Sequence, residues 1–348
     1  MQLKSYIPIL LITFLYGCKK EAITQEQPYQ LAVPGNFPSI NTYYADNPLS
    51  KDGIELGRKL FYDVRLSGNN QINCASCHQQ DKAFSDGIAL TNVGVSGITL
   101  HRHSPSLINV AWHNNGLFWD GGSTNLESQA FAPITNPDEM AQNLYELEDE
   151  LKQVPEYVSL FRKVFNDTIK SNYVARALAQ FQRTLISSNA KYDKYIRNEN
   201  NTTLTTQELQ GLSLVKTKCQ HCHSTDLFTD DQYHNNGIDD DFSNTSFSNL
   251  FLGRFRITNN IADIGKYKTP TLRNLMLTAP YMHDGRFATI EDVLNQYSNG
   301  VKITTTTDPF LIPNNGIPLT TLEKQAIIAF LHTLTDYDFI SNPKFAQP

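Results

Sequence analysis

The sequence predicts a mainly α-helical protein with two domains, and three observations lead to this prediction. Apolar residues recur at helical spacing in several segments, whereas stretches that alternate like a β-strand are few. A five-residue pattern, Cys-x-x-Cys-His, occurs twice, at Cys74–His78 and at Cys219–His223. The chain has 348 residues, which is long enough for two domains of ordinary size.

The repeated pattern is the attachment signal for c-type haem. Both thiols form thioethers with the porphyrin, and the adjacent His becomes the proximal ligand of the iron. The residues expected to hold two covalent haems are Cys74, Cys77 and His78 in the first motif, and Cys219, Cys222 and His223 in the second. The alternatives are a disulfide, a zinc ribbon or a thioredoxin-like motif. A zinc ribbon usually places its two cysteine pairs much closer together, and a thioredoxin-like motif needs no following His.

Helical patterns flank the motifs. Thr205-x-x-Glu208 is a capping-box pattern before the second motif, and Thr320-x-x-Glu323 is one before the last helix. The apolar pattern before the first motif is less regular, and Gly53 and Gly57 weaken that helix. A helix, a haem motif and a closing helix in this order are the layout of a cytochrome c domain.

The first domain contains two further helical patterns, one over 144–165 with an interruption near Pro155 and one over 173–187. Two long stretches, 84–122 and 228–288, have little periodicity and many Gly, Pro and Asn residues. Loops of this kind usually wrap the cofactor in a haem protein. The predicted fold is therefore mainly α, with two cytochrome c-like haem domains and long haem-wrapping loops.

The domain boundary is placed at the polar, turn-prone stretch after residue 198. The N-terminal domain would span 41–198 and the C-terminal domain 199–348.

Composition adds little to this organisation. The net charge is −6 and the chain has no basic patch, so nothing suggests a nucleic-acid partner.

The N-terminus predicts an export signal over residues 1–17. Lys4 supplies a positive charge, and the apolar run from Ile7 to Leu15 has the length of a signal h-region but is too short to cross a bilayer. The tetrapeptide before and including Cys18 resembles a lipobox, in which this fifth cysteine is lipidated; the alternative is an ordinary signal peptide with an incidental Cys. Residues 18–40 are predicted to be a tether. The protein is thus expected to be exported and anchored in a membrane by lipid, facing the periplasm.

Six further motifs lie around the haem motifs: Leu60–Ser67, Ser104–Asn109, Phe118–Gly121, Pro137–Met140, Lys268–Asn274 and Tyr281–Gly285. With these motifs, the chain resembles the bacterial dihaem cytochrome c peroxidase family over roughly residues 47–334. That family includes the methylamine-utilisation dihaem enzyme, which matures a tryptophan-derived quinone.

The resemblance implies that the N-terminal domain is peroxidatic and that the C-terminal domain transfers electrons. Glu139 and Gln129 match the distal Glu and Gln that meet peroxide, and Trp119 matches the tryptophan between the haems. A Glu whose pKa is shifted toward the working pH can take a proton from one peroxide oxygen and return it to the other. The alternatives are that Glu139 caps a helix after Pro137 and that Trp119 is a packed core aromatic.

Some positions depart from the family pattern at the first haem. Val95 stands where many members have a distal His that must leave before peroxide binds, although His101 and His103 lie nearby and could substitute. His103 also replaces an Asn that helps to hold a calcium ion, and imidazole is a poor ligand for that cation. The carbonyls of Thr278 and Pro280 expected beside a calcium ion are present. Gly122 stands where relatives often carry Arg.

At the second haem, Tyr297 occupies the position where classical peroxidases have a Met ligand and the quinone-maturing enzyme has a Tyr. The resemblance therefore implies that Tyr297 is the sixth ligand of this iron. The alternative is a packed Tyr, with Met276 or Met282 as the next candidate ligand. Axial ligands tune haem potential, and a phenolate favours the oxidised iron more than a thioether does.

The predicted function is a dihaem c-type peroxidase that reduces hydrogen peroxide to water. Its electrons would come from a small donor protein, either a c-type cytochrome or a copper protein. One alternative is a dihaem oxidase of the quinone-maturing type, which uses peroxide to oxidise a partner protein. The other is a dihaem electron-transfer cytochrome with no enzymatic activity.

Overall fold

The computed structural model describes residues 28–40, 45–243 and 250–348. In these residues the structure is mainly α-helical, which confirms the predicted class. The β structure named there is one short antiparallel pair, β1 (Tyr233–His234) with β2 (Tyr267–Lys268). None of the helices described is both long and apolar enough to cross a membrane. The predicted signal peptide and Cys18 lie outside the described residues.

The α-helices of the described residues are, in chain order, α1 (Lys51–Phe61), α2 (Leu126–Gln129), α3 (Phe131–Thr135), α4 (Leu144–Lys152), α5 (Pro155–Phe165), α6 (Ser171–Arg183), α7 (Lys191–Ile196), α8 (Thr206–Lys218), α9 (Phe255–Thr258), α10 (Ile290–Asn295), α11 (Thr321–His332) and α12 (Tyr337–Ile340). Both expected capping boxes form, at the starts of α8 and α11. Pro155 separates α4 from α5, as predicted, because proline is tolerated only in the first turn of a helix.

The helix before each haem motif crosses a later helix at very close range. α1 packs on α6, and a Cβ atom at Gly57 would lie 1.9 Å from the carbonyl oxygen of Ala177. α8 packs on α11, and a Cβ atom at Gly211 would lie 1.9 Å from the carbonyl oxygen of Ala326. Only glycine permits this approach, so the two halves of the chain use the same crossing with the same residue type.

Two apolar cores lie under these crossings. One is centred on α1 and α6 and the other on α8 and α11. The boundary after residue 198 stays a prediction, and contacts cross it in both directions. Tyr192 packs in the second core, while Phe339 and Phe345 from the end of the chain pack in the first.

The last residues of the predicted tether are packed against the folded protein. Phe37 is buried with Trp112 and Leu227, which come from the two halves of the chain. The Trp112 indole N–H donates to the carbonyl of Pro38 at 2.8 Å, and the Arg273 guanidinium lies 4.5 Å from the centroid of the Phe37 ring. The segment around residues 36–38 therefore joins both halves instead of forming a free linker.

Candidate active site

The first haem motif begins with a short 3₁₀ turn, Cys74–Ser76, which the Asn73 side chain caps. The turn brings the backbone N–H of His78 to within 3.0 Å of the Cys74 carbonyl oxygen, so both ends of the motif lie together. His78 Nδ1 lies 2.9 Å from the Phe84 carbonyl, which can only accept a hydrogen bond. Nδ1 therefore carries the proton and Nε2 keeps its lone pair for iron. Burial lowers the pKa of His78, which favours this neutral form.

The second motif repeats this arrangement. The backbone N–H of His223 lies 2.9 Å from the Cys219 carbonyl oxygen, and His223 Nδ1 lies 3.0 Å from the Phe228 carbonyl. Phe84 and Phe228 both have positive φ angles, of 60° and 53°, in the turn that aims the carbonyl at the imidazole. The same orienting bond at both motifs indicates that each His is prepared as a proximal ligand.

The residues present fit two c-type haems. Cys74, Cys77, Cys219 and Cys222 are all free thiols, so no disulfide competes for them. A cavity of about 270 Å³ opens onto Cys219, Cys222 and His223, and most of its wall is apolar. One bound haem would supply the iron that activates peroxide, and the other would supply a second iron centre that exchanges electrons.

Glu139 lies in a turn after α3, not at the start of a helix, so the alternative of a helix cap is wrong. The Asn136 side chain donates a hydrogen bond of 2.6 Å to Glu139 Oε1. Burial raises the pKa of Glu139 and the nearby Asp138 raises it further, whereas the bond from Asn136 opposes both effects. Burial and the charges of Asp86 and Glu139 raise the pKa of the Cys77 thiol, so the Glu139 carboxyl group lies within electrostatic range of the first haem motif.

Val95 packs against the turn that carries Glu139. Its backbone N–H donates to the Glu139 carbonyl at 2.7 Å, and a Cβ atom at Gly94 would lie 1.9 Å from the carbonyl oxygen of Asp138. Val95, which the resemblance places at the position of a distal His, is thus held beside the backbone of Glu139, and its aliphatic side chain cannot ligate iron. Gln129, at the end of α2, lines the cavity that opens onto Cys219 and His223, whereas Glu139 does not line it.

Trp119 connects the two halves of the chain. Its indole N–H donates to the His103 carbonyl at 2.8 Å, and its own carbonyl accepts a hydrogen bond from the Lys268 backbone at 2.8 Å. The ring lines the same cavity as Cys219 and His223. Trp119 therefore lies at the contact between the two halves of the chain, on the wall of the cavity at the second haem motif.

Sequence reasoning missed the charged cluster beside this tryptophan. Asp120 is buried, and its Oδ2 lies 2.8 Å from Arg102 Nη1 and 3.1 Å from Arg256 Nη1. Arg254 donates to the carbonyl oxygens of Asp120 and Gly121. A Cβ atom at Gly122 would lie 3.7 Å from Arg256 Nη1. Arg256 comes from the second half of the chain, and it therefore lies beside the position at which the resemblance implies an Arg. No spacing rule could have paired Asp120 with Arg254 and Arg256, which lie more than 100 positions later in the chain.

Tyr297 lies in a π-helical turn, Gln296–Gly300, which directly follows α10. Turns of this type are frequent at functional sites. Burial raises the pKa of Tyr297 to about 12, against the lowering effect of Asn236. Tyr297 lines the same cavity as Cys219 and Cys222, which places it near the second haem motif.

Both other candidates for this ligand position were methionines, and the structure separates them. Met282 lines the cavity with Tyr297, whereas Met276 packs in the second core and does not line it. Asn236 Nδ2 lies 3.5 Å from the Tyr297 hydroxyl and 3.5 Å from Met282 Sδ. Tyr297 and Met282 are therefore the two candidate ligands that lie in this cavity and contact the same amide.

The two histidines near Val95 have other contacts. The His101 ring packs edge-on against Phe251, with 5.9 Å between the ring centroids. His103 is buried, with Nδ1 2.7 Å from the Ile88 carbonyl and Nε2 3.2 Å from Ser85 Oγ. Both nitrogens of His103 are thus engaged.

These contacts also bear on calcium. Thr278 and Pro280 line the same cavity as His103, as the resemblance implies. However, the imidazole contributes no free donor atom, and nitrogen is in any case a poor ligand for this cation. The residues at this position fit a calcium ion poorly.

Comparison with known proteins places the chain in a family. Residues 51–201 match the family model described as di-haem cytochrome c peroxidase. The methylamine utilization protein MauG of Methylorubrum extorquens is 36% identical over 292 residues, covering 83% of this chain and 79% of that protein. The cytochrome c551 peroxidase of Nitrosomonas europaea is 36% identical, covering 73% of this chain and 75% of that protein.

A solved structure supports the same assignment. It is described as a MauG-like protein associated with microbial copper homeostasis, and it superposes with a TM-score of 0.83 at 32% identity. The match covers 92% of this chain and 99% of that one. The chain therefore belongs to the dihaem cytochrome c peroxidase family, and it is an oxidoreductase that acts on peroxide and carries covalently bound c-type haem.

Proposed function

We propose that the protein is a dihaem c-type peroxidase that reduces hydrogen peroxide to water at the haem held by His78. The balance is one peroxide, two electrons and two protons for two waters. The electrons come from a small donor protein, a c-type cytochrome or a copper protein, and enter at the haem held by His223. In this proposal each half of the chain, with its own core and helix crossing, is a cytochrome c-like haem domain.

The observation that carries the proposal is the position of Glu139. Its carboxyl group has a raised pKa, lies within electrostatic range of Cys77 and is oriented by the hydrogen bond from Asn136. Heterolysis of peroxide needs a group that takes a proton from the inner oxygen and returns it to the outer oxygen, which leaves as water. Val95 supports this reading because it offers no ligand that would have to leave first. On the resemblance to the family, we assign Gln129 the role of orienting peroxide or the product water through its amide, although it lines the cavity that opens onto His223 and Glu139 does not.

Electrons need a route from the surface to the first haem. The wall of the cavity at the second haem reaches the surface at His221 and Phe310, whose rings stack with centroids 4.9 Å apart. The His221 side chain is 45% exposed and Phe310 is 40% exposed. We assign this patch as the place where the donor docks, with Trp119 carrying electrons onward to the haem of His78.

The experiment is a turnover assay on protein whose intact mass shows two haems. The proposal expects peroxide-dependent oxidation of a reduced small cytochrome c or copper protein, with two donor molecules consumed per peroxide. It also expects the oxidised protein to bind peroxide without prior reduction, since Val95 replaces the distal His. Protein that carries both haems yet oxidises no donor when peroxide is added would refute the proposal.

A dihaem oxidase of the quinone-maturing type is the second candidate, and the position of Tyr297 favours it. A phenolate ligand would keep the second haem at low potential and suit it to sharing oxidising equivalents. This enzyme would consume peroxide with little oxidation of a small donor and would instead oxidise residues of a partner protein. Membership of a peroxidase family argues against the third alternative, a non-enzymatic electron-transfer cytochrome.

We also propose that the protein is exported and anchored by a lipid on Cys18. A stable anchor needs two or more acyl chains, which a lipidated N-terminal Cys carries. Replacing Cys18 by Ser is expected to release the protein from membranes or to block its processing. Membrane fractionation measures the first effect and N-terminal mass the second. A Cys18→Ser protein that is processed normally and remains with the membrane contradicts the lipid anchor.

A further inference from the structure

Two potential iron ligands, an oxygen and a sulfur, meet at one amide in the cavity of the second haem. Asn236 Nδ2 lies 3.5 Å from the Tyr297 hydroxyl oxygen and 3.5 Å from Met282 Sδ. A carboxamide nitrogen carries two N–H bonds, so it can serve both atoms at once. The two acceptors are unequal, because a phenolate oxygen is a strong acceptor and a thioether sulfur is a weak one.

The backbone of Asn236 is fixed by the residues on either side. Asn235 is buried, and its side chain accepts a 2.9 Å bond from the Gly237 N–H and donates one of 2.9 Å to Thr306. Its carbonyl accepts a further bond from the backbone of Asp308 at 2.9 Å. The amide of Asn236 is therefore presented to the cavity by an ordered loop.

The same loop is bonded to the helical turn that carries the tyrosine. The Gly237 carbonyl accepts a 3.1 Å bond from the side chain of Gln296, the residue before Tyr297. It also accepts one from the Lys302 backbone at 2.8 Å. Gly237 has a φ of +69°, and a Cβ atom there would lie 2.7 Å from Val301 Cγ1, so the close approach of these two segments requires glycine. The loop that carries Asn236 is thus bonded directly to the turn that carries Tyr297.

We propose that Asn236 is a positioning residue that selects oxygen over sulfur at the second haem: it donates one hydrogen bond to the Tyr297 oxygen and engages Met282 Sδ with the other. The bond to oxygen holds the phenol oxygen in place in the cavity that opens onto His223. The contact with sulfur occupies the thioether so that it does not bind. The inference rests on the proposed function, since it takes Tyr297 as the ligand of the haem held by His223.

The test uses the protein with both haems attached and two replacements of similar volume. Asn236→Leu removes both donors, and Asn236→Asp replaces them by an anion that repels a phenolate. Each is expected to convert part of the second haem to thioether ligation, with a rise in its midpoint potential and the electron paramagnetic resonance signature of a His–Met haem. The first haem should not change, and it serves as the internal reference.

A double variant separates selection of the ligand from general loosening of the site. Adding Met282→Leu to Asn236→Leu removes the competing sulfur, so the His–Met signature should disappear. Asn295→Leu is the matched control, because Asn295 lies two residues from Tyr297 but is exposed and bonded to Lys324. It should leave both haem spectra unchanged.

The outcomes distinguish this inference about Asn236 from the proposal that Tyr297 is the ligand of the second haem. If Tyr297→Phe changes the spectrum of the second haem while Asn236→Leu and Asn236→Asp do not, Tyr297 is the ligand and the role of Asn236 is wrong. If Tyr297→Phe leaves that spectrum unchanged, phenolate ligation itself fails, and the inference fails with it. A His–Met signature that persists in the double variant also overturns the selection by Asn236.

Discussion

Replacing Glu139 by Gln is expected to lower the rate of peroxide reduction by about 10²- to 10⁴-fold, the usual cost of losing a general acid–base group. The substitution keeps the size of the side chain and its ability to accept the hydrogen bond from Asn136, but it cannot carry a proton. Haem content and the spectra of both haems should be those of the unmodified protein. Steady-state turnover and the rate of the first reaction with peroxide are the measurements.

The pH profile gives the same prediction a second readout. Glu139 must be ionised to accept the proton of peroxide, so kcat/KM should fall as the pH decreases through its pKa. Because burial raises that pKa, the fall should occur above the range of an ordinary Glu, which titrates near about 4.3. In Glu139→Gln this acid limb should be absent.

Asp138→Asn is the matched control, because it removes one negative charge from the adjacent residue without touching the proton carrier. Asp138 raises the pKa of Glu139, so this variant should keep its turnover and shift the acid limb to lower pH. Asn136→Ala should shift the limb to higher pH, since the bond it removes holds the pKa down. Unaltered turnover in Glu139→Gln with both haems in place would show that another group moves the proton.

Local patterns in the sequence were sufficient to predict much of the fold. The capping boxes at Thr205 and Thr320 and the break at Pro155 depend on residues within one or two turns, so they could be read directly. The haem motifs were equally local. Helix α6 ends at Arg183, four residues before its predicted end, because the backbone of Leu185 turns to bond with Asn109 from a distant loop.

The parts that could not be predicted depend on contacts between distant segments. Gly57 appeared to weaken a helix, but the structure uses it for a close crossing with Ala177, 120 positions later. The carbonyls of Phe84 and Phe228 orient the proximal histidines through backbone geometry, which leaves no pattern of residue types. No sequence pattern indicated a role for Asn236, because it comes to lie between the Tyr297 oxygen and the Met282 sulfur only when three distant segments fold together.

Replacing Tyr297 by Met is expected to raise the midpoint potential of the second haem by ~100–300 mV, a fraction of the ~0.8 V over which axial ligands move haem potentials. A phenolate is a hard anionic donor that stabilises oxidised iron, whereas a thioether is soft and neutral and stabilises reduced iron. Potentiometry on both haems, with the first haem as reference, measures the shift. A higher potential should also make the second haem a better acceptor from a small donor protein.

The structure supplies the control that decides between the two candidate ligands. If Tyr297 binds the iron, Tyr297→Phe should alter the spectrum of the second haem, and Met282→Leu should leave its potential nearly unchanged. If Met282 binds instead, Met282→Leu should lower the potential and Tyr297→Phe should have little effect. The two side chains line one cavity and share one amide donor, so both variants perturb the same packing. A difference between them therefore reports on ligation and not on loss of side-chain volume, and it determines whether the second haem stores electrons at high potential or shares oxidising equivalents at low potential.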